Sequence, residues 1–100
     1  MSKTKTDVVI DEKVQQIVLE PEPVKVIMLN DDITPVDFVV ELLIKIFKHT
    51  QESAKEITLK IHTEGSSVVG AYSFEVAEQK TKEAIEESRS RGFPLQVRME

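Results

Sequence analysis

Residues 24–29 form an apolar, β-branched run, Val-Lys-Val-Ile-Met-Leu, that passes directly into Asn30-Asp31-Asp32. Prolines 21 and 23 precede the run, and asparagine and aspartate favour turns after it. A run bounded in this way predicts a largely buried strand that ends in a polar turn. Because signals for the start of a helix follow immediately, the chain is expected to pass from this strand through the turn into a helix.

The first predicted helix begins at Thr34-Pro35, with threonine as the capping residue and proline at the first helical position. Asp37 lies in its first turn, where the helix dipole favours a negative charge. Apolar residues with helical spacing then predict one buried face. They are Phe38, Val39, Leu42, Leu43, Ile46 and Phe47.

A second helix is predicted from Thr50 to the residue before Gly65, and residues 66–72 are predicted to form a short strand. Four residues of this helix share one face and are expected to point inward. They are Ala54, Ile57, Thr58 and Ile61.

The third predicted helix is capped by Ser73 and runs to about Arg91, where Gly92 stops it and Pro94 prevents its continuation. Residues 95–99 alternate between apolar and polar, which predicts a half-exposed strand. The order β-α-α-β-α-β predicts an α/β (α+β) sandwich, with three helices packed on a three-stranded sheet. The inward positions of the third helix are predicted to be Val76, Ala77, Ala84 and Ile85.

The composition excludes several classes of protein. With 100 residues and 11.3 kDa, the chain has room for one compact domain. A net charge of −5 argues against general nucleic-acid binding, because an acidic surface repels phosphate backbones. The absence of cysteine excludes disulfides, thiolate metal sites and a cysteine nucleophile. No apolar run approaches the ~20 residues that span a bilayer, so a membrane partner is not expected.

Residues 1–22 differ from the rest, because two short apolar patches lie among mixed charges without a sustained period. They lack the apolar core of a secretory signal and the arginines of an organellar transit peptide, so a cytoplasmic location is expected. We interpret residues 1–22 as a flexible N-terminal extension and residues 23–100 as the folded core. The extension is either a tail without a function or a segment that orders on contact with a partner.

Three groups of polar residues are candidates for function, and each has a plain structural alternative. Asn30-Asp31-Asp32 contains possible ligand-binding groups, although these residue types also form ordinary turns. His62, at the end of the second helix, is a candidate binding residue or an ordinary surface histidine. The charged face of the third helix, which includes Glu75, is a candidate docking surface or a solvated face.

Enzyme chemistry has little support in the sequence. Asp31, Asp32 and His62 could be imagined around a metal ion, but the spacings HxxxH and HExxH do not occur. The chain has no GxSxG nucleophile elbow. His49 is predicted to lie at the frayed end of the first helix, where a general base would not be held firmly. No metal, cofactor or catalytic residue is therefore expected.

Residues 26–35, Val-Ile-Met-Leu-Asn-Asp-Asp-Ile-Thr-Pro, with Phe38-Val39 after them, resemble the signature of the ClpS family, the adaptor proteins of the bacterial N-degron pathway. The resemblance covers about Pro23 to Glu100. Further matching positions lie downstream in register. They are Ile61-His62 before Gly65, then Gly70, Glu75-Val76-Ala77-Glu78 with Lys80, and Pro94-Leu95.

The resemblance implies the fold of the C-terminal domain of the ribosomal stalk protein and a function without catalysis. Family members bind proteins whose first residue is Leu, Phe, Tyr or Trp. They deliver these proteins to a ClpA-type or ClpC-type AAA+ unfoldase, which works with the ClpP peptidase. By this resemblance the chain is expected to be a monomer when free, with N-degron substrate proteins and the unfoldase N-domain as its partners.

The resemblance also implies roles for individual residues. Asn30, Asp31 and His62 would bind the free α-amino group and the first peptide unit of the substrate. Glu75 and Lys80 would dock on the unfoldase, and the N-terminal extension would engage it during handover. The side-chain pocket would be lined by Asp32, Thr34, Pro35, Val36, Val39, Thr58, Ile61 and Leu95.

Thr58 and Val36 stand where many relatives carry methionine, which is longer and more adaptable. We therefore predict a pocket that tolerates Ile or Val as the first residue more than the pockets of typical relatives do. Two alternatives to the adaptor interpretation remain open at this point. One is an interaction module like the ribosomal stalk domain, without N-terminal recognition, and the other is a small metal-dependent hydrolase that uses Asp31, Asp32 and His62.

Overall fold

The computed structural model describes residues 22–100. The predicted sandwich is confirmed, because three helices pack on one antiparallel sheet of three strands. The predicted N-terminal extension falls on residues 1–22, of which all but Glu22 lie outside the described residues. The elements are β1 (Val24–Leu29), α1 (Val36–Lys45), α2 (Gln51–Glu64), β2 (Ser66–Tyr72), α3 (Phe74–Ser90) and β3 (Gln96–Met99).

β1 is the central strand of the sheet and pairs antiparallel with β2 on one side and β3 on the other. The pairing with β2 contains a β-bulge, since Val26 lies opposite Gly70 whereas Ile27 lies opposite Val68. Val69 is therefore an extra residue of β2 that faces no partner residue in β1. It is buried, and its carbonyl needs a hydrogen-bond donor from elsewhere in the fold.

His49 supplies that donor. Its Nε2 atom lies 2.6 Å from the Val69 carbonyl oxygen, and because a carbonyl only accepts, Nε2 must carry the proton. Its Nδ1 atom lies 3.1 Å from the hydroxyl of Ser53 in α2. The prediction that His49 lies at a frayed helix end is therefore wrong. The imidazole joins the connection between α1 and α2 to the bulge of β2.

The core lies between the helices and the sheet. Val26 and Met28 of β1 are completely buried, and the predicted apolar stripe of α1 is buried against them, including Ile46 and Phe47 just after the helix. α2 begins just after Thr50, close to its predicted start, and Thr50 caps it, because its side-chain oxygen accepts a hydrogen bond from the Ser53 backbone N–H.

α3 presents small residues to the strands. Its buried positions are Ala77, Thr81, Ala84 and Ser88, which allow the helix to approach the sheet closely. The prediction that Val76 points inward is wrong, because Val76 is 43% exposed. A helix turns about 100° per residue, so the position before Ala77 lies well away from the buried stripe. Among residues 22–100, no helix has both the length and the apolar character needed to cross a bilayer.

Candidate functional site

The turn between β1 and α1 is organised by the carboxylate of Asp31. Its Oδ1 atom accepts hydrogen bonds from the backbone N–H groups of Ile33 at 2.8 Å and Thr34 at 2.7 Å. Its Oδ2 atom accepts a hydrogen bond from the Thr34 hydroxyl at 2.8 Å. The prediction that Thr34 caps α1 is wrong, because Pro35 takes the capping position and α1 has no side-chain cap.

These hydrogen bonds also set the charge state of Asp31. Burial on its own would raise the pKa of the carboxyl group. The hydrogen bonds from Thr34 and Ile33, helped by the positive charge of Arg89, favour the ionised form and outweigh this effect. The pKa of Asp31 is therefore lowered from its usual value of 3.8, so the turn holds a fixed negative charge at neutral pH.

The same turn forms one side of a cavity of about 220 Å³ between α1 and α2. Asn30, Asp31 and His62 place an amide, a carboxylate and an imidazole beside apolar groups of Val39 and Ile61. Polar acceptor groups and an apolar surface thus line the same cavity. The remaining residues that line this cavity are Asp32, Thr34, Val36 and Thr58.

A smaller space of about 20 Å³ shares five lining residues with this cavity and is lined in addition by Leu29 and Leu95. Leu95 is almost completely buried. The Nη1 atom of Arg89 donates hydrogen bonds to the carbonyl oxygens of Leu95 at 2.8 Å and Phe93 at 3.0 Å. Arg89 therefore joins the end of α3 to the segment that carries Leu95.

Thr58 contributes little polarity to the cavity. Its hydroxyl donates a hydrogen bond to the carbonyl of Ala54, one helical turn earlier, at 2.7 Å. Since this hydroxyl is engaged by the helix backbone, the methyl group of Thr58 remains for contact with an apolar ligand. Val36, at the edge of the cavity, is 58% exposed.

A second cavity of about 340 Å³ lies beside the first, also between α1 and α2. Val36, Thr58 and His62 line both cavities. The residues that line only the second cavity are Asp37, Val40, Lys55 and Leu59. The sequence does not identify them as site residues. The available signal is an apolar residue outside the buried stripe of an amphipathic helix, and Leu59 is such a residue.

Glu75 and Lys80, the residues expected to dock on an unfoldase, lie on α3 and line neither cavity. Glu75 is exposed in the first turn of the helix. Lys80 is partly buried, and its Nζ atom donates a hydrogen bond at 2.7 Å to the carbonyl of Ile46, just after α1. The Lys80 ammonium also lies 5.4 Å from the centre of the Tyr72 ring. Lys80 therefore makes intramolecular contacts in addition to any with a partner.

The structure brings together most of the residues expected around a bound substrate. Leu95 lines only the smaller space of about 20 Å³, and Pro35 lines none of the three spaces. Within residues 22–100, no group of three or more acidic or histidine side chains is placed to hold a metal ion. The hydrolase alternative therefore lacks a metal-binding arrangement in the described part of the chain.

Comparison with known proteins gives consistent matches over the same region. A family model described as "ATP-dependent Clp protease adaptor protein ClpS" matches residues 19–98. A ClpS adapter protein from Treponema denticola is 43% identical over 82 residues, which cover 82% of this chain and 81% of that protein. One from Burkholderia cenocepacia is 41% identical over 96 residues, which cover 96% of this chain and 92% of that protein.

A solved structure shows the same fold. It is Agrobacterium tumefaciens ClpS2 bound to L-phenylalaninamide, and it superposes with a TM-score of 0.78 at 36% identity. The match covers 81% of this chain and 98% of that one. Because the family model matches most of the chain and the two relatives are 43% and 41% identical to it, this chain belongs to the ClpS family of ATP-dependent Clp protease adaptor proteins.

Proposed function

We propose that this chain binds proteins whose first residue is bulky and hydrophobic, namely Leu, Phe, Tyr or Trp, through both the side chain and the free α-amino group. It then delivers them to a ClpA-type or ClpC-type unfoldase for degradation by ClpP, without catalysing a reaction itself. The observation that carries this proposal is the meeting of Asn30, Asp31 and His62 with an apolar recess in one cavity of about 220 Å³.

The polar side of this cavity suits an amino terminus. An α-amino group has a pKa of about 8, so at neutral pH it is mainly a cation with three donors. An amide oxygen, a carboxylate and a neutral imidazole nitrogen are acceptors for such a group. The carboxylate of Asp31 has about four lone-pair positions, of which the turn uses three. The remaining position is on Oδ2 and can accept a bond from the substrate.

The apolar side suits a large hydrocarbon side chain. Val39 and Ile61 are buried, and the Thr58 hydroxyl is bonded to its own helix. A charged first residue would lose its hydration beside Val39 and Ile61, which offer it no partner, so it is disfavoured. The ligand of the Agrobacterium protein, L-phenylalaninamide, combines one free amino group with one aromatic side chain, the same two features that this cavity would recognise.

The energies are consistent with reversible binding. Each charge-assisted hydrogen bond contributes roughly 1.5–3 kcal/mol, and burial of a Leu or Phe side chain contributes roughly 1.5–3 kcal/mol. Association costs ~4 kcal/mol or more and offsets part of this gain. We expect micromolar to sub-micromolar dissociation constants, which allow both capture and release of a substrate.

The decisive experiment compares a labelled peptide that begins with Leu with its N-acetylated form by fluorescence anisotropy. Acetylation removes the positive charge and keeps the side chain, so we expect affinity to fall by at least about a hundredfold, or ~2.7 kcal/mol. Asn30→Ala should weaken binding of the free peptide, whereas Gln51→Ala, which changes an exposed amide at the far end of α2, should not. Equal binding of both peptides would reject the proposal and favour an interaction module like the ribosomal stalk domain.

Delivery requires a second surface, for which we propose the exposed start of α3 around Glu75. Glu75 lines neither cavity, so a bound substrate would leave it accessible to the unfoldase N-domain. Fluorescence of a labelled adaptor titrated with the unfoldase N-domain measures this step. Glu75→Lys should weaken docking and leave peptide affinity unchanged. Equal losses of both activities would show that the two surfaces are not separate.

A further inference from the structure

The second cavity, of about 340 Å³, has no role in recognition of a first residue, although it adjoins the cavity that does. Val36, Thr58 and His62 line both spaces, so they form the boundary between them. His62, which would bind the first peptide unit, lies on this boundary, so we take the peptide to continue across it. The second cavity is therefore within immediate reach of the residues that follow.

The lining of the second cavity is suited to an apolar side chain. Leu59 is 62% exposed, so it offers apolar surface that an apolar ligand side chain would remove from water. The half-buried side chain of Val40 lies in the same groove. Asp37 and Lys55 also line this groove and carry opposite charges, so their effects on a charged ligand group largely cancel and favour neither sign.

We propose that this second cavity binds an apolar side chain of the third residue of the same N-terminal segment, and thereby adds selectivity beyond the first residue. The inference rests on the proposed function, because it takes the first residue as already seated. Leu, Ile, Val and Met are the side chains of suitable chemistry. The amide ligand of the Agrobacterium protein ends after one residue and so does not reach such a position.

The register follows from the geometry of an extended chain. Successive side chains of an extended peptide point to opposite sides, so the first and third lie on the same side about 6.6 Å apart. The two cavities are neighbours between the same two helices. With the first side chain in the first cavity, the third faces the second cavity, and the second side chain points away from the protein.

The test uses three peptides that differ only at positions two and three, beginning Leu-Ser-Ser, Leu-Leu-Ser and Leu-Ser-Leu, each with a free and an N-acetylated terminus. We expect the free Leu-Ser-Leu peptide to bind about five- to tenfold more tightly than free Leu-Ser-Ser, because an additional side chain is partly buried. We expect free Leu-Leu-Ser to bind like free Leu-Ser-Ser.

Leu59→Ala assigns this gain to the second cavity. The residue is exposed and alanine favours helices, so the variant keeps its fold, which circular dichroism verifies. It should abolish the advantage of Leu-Ser-Leu and leave the affinity for Leu-Ser-Ser unchanged. Ile44→Ala is the matched control, since Ile44 is an apolar residue of α1, 37% exposed, that lines neither cavity.

The outcomes separate this inference from the proposed function. If free Leu-Ser-Ser binds and its acetylated form does not, but the third residue has no effect, the second cavity has no such role and the inference is overturned. An advantage at position two instead of three, or one that survives Leu59→Ala, also overturns it. If free and acetylated Leu-Ser-Ser bind equally, the proposed function itself fails.

Discussion

The hydroxyl of Thr58 donates a hydrogen bond to the carbonyl of Ala54 at 2.7 Å, so a polar residue contributes an apolar surface to the cavity between α1 and α2. The bond satisfies the hydroxyl within the helix. A threonine at this position is therefore a short apolar side chain with respect to a ligand.

We predict that this short side chain broadens the choice of first residue. Peptides that begin with Ile or Val should compete within about tenfold of a Leu peptide, because the β-branched side chains find room beside Thr58 and Val36. Thr58→Met should weaken Ile and Val binding relative to Leu. Competition by unlabelled peptides measures both effects.

The matched control is Thr63→Met, which makes the same change on an exposed threonine of α2 outside both cavities. A preference of the unmodified protein for Leu over both Ile and Val of about a hundredfold, or ~2.7 kcal/mol, would contradict the prediction.

A second prediction concerns the stability of the protein at acidic pH. Because folding lowers the pKa of Asp31, its ionised form stabilises the fold above the usual value of 3.8, and this contribution is lost as the pH falls through the lower folded value. Asp31→Asn should therefore reduce the free energy of unfolding at pH 7, and the difference from the unmodified protein should shrink below pH 3.8. Urea unfolding at pH 7 and at pH 3 measures the difference.

Asp32→Asn is the control for this comparison, because it removes the same charge from the same turn and leaves the three hydrogen bonds of Asp31 intact. If both variants lose stability equally at pH 7, the hydrogen bonds of Asp31 do not stabilise the turn.

Since Asp31 also holds the turn, Asp31→Ala is expected to weaken peptide binding partly by loosening that turn.

Substitutions of the two histidines should have opposite effects on stability and on peptide affinity. His49→Phe removes the donor to the buried Val69 carbonyl, so the free energy of unfolding should fall by about 1–3 kcal/mol with peptide affinity unchanged. His62→Ala changes an exposed residue of the cavity, so peptide affinity should fall at least about tenfold, while stability changes by no more than about 0.5 kcal/mol. Denaturant unfolding measures the stability of both variants, and fluorescence anisotropy measures their peptide affinity. If His49→Phe instead weakened binding and His62→Ala instead reduced stability, the roles assigned to the two imidazoles would be wrong.

Lys80 should affect stability as well as docking. Lys80→Met removes a charged donor to the Ile46 carbonyl, and because Lys80 is only partly buried, we expect a loss of about 1 kcal/mol in the free energy of unfolding. Glu75→Ala removes a negative charge from the first turn of the same helix, so it should reduce stability by no more than about 0.5 kcal/mol, and the control Glu86→Ala should leave stability unchanged. A Lys80→Met variant as stable as the unmodified protein would show that the bond to Ile46 contributes nothing.

The sequence predicts the elements of this fold well, because their signals are local. The apolar stripe of α1, the start of α2 at Thr50 and the stop at Gly65, where φ is 93°, depend on residues within a few positions of one another. The roles of His49 and Lys80 were not predictable in this way. Their partners Val69 and Ile46 lie 20 and 34 positions away in the chain, and only the folded packing brings them together.

The features of the candidate site were likewise predictable only in part. The sequence pattern indicates Asn30, Asp31 and His62 as candidate binding residues, the family resemblance implies their roles, and the structure places them around one cavity. The hydrogen bond between Thr34 and Asp31 was missed because a threonine before a proline is also a good helix cap, and the sequence does not show which acceptor it meets. The second cavity was missed because it depends on how α1 and α2 lie against each other.

The turn pinned by Asp31 has a kinetic consequence. Two hydrogen bonds to its backbone and one to the Thr34 hydroxyl hold this turn before any substrate arrives, so docking of a first residue does not have to wait for a loop to order. Substrates with different first residues should then associate at similar rates and differ in how quickly they leave. The protein would discriminate among substrates by residence time, so the bound lifetime sets which substrates remain long enough to be passed on.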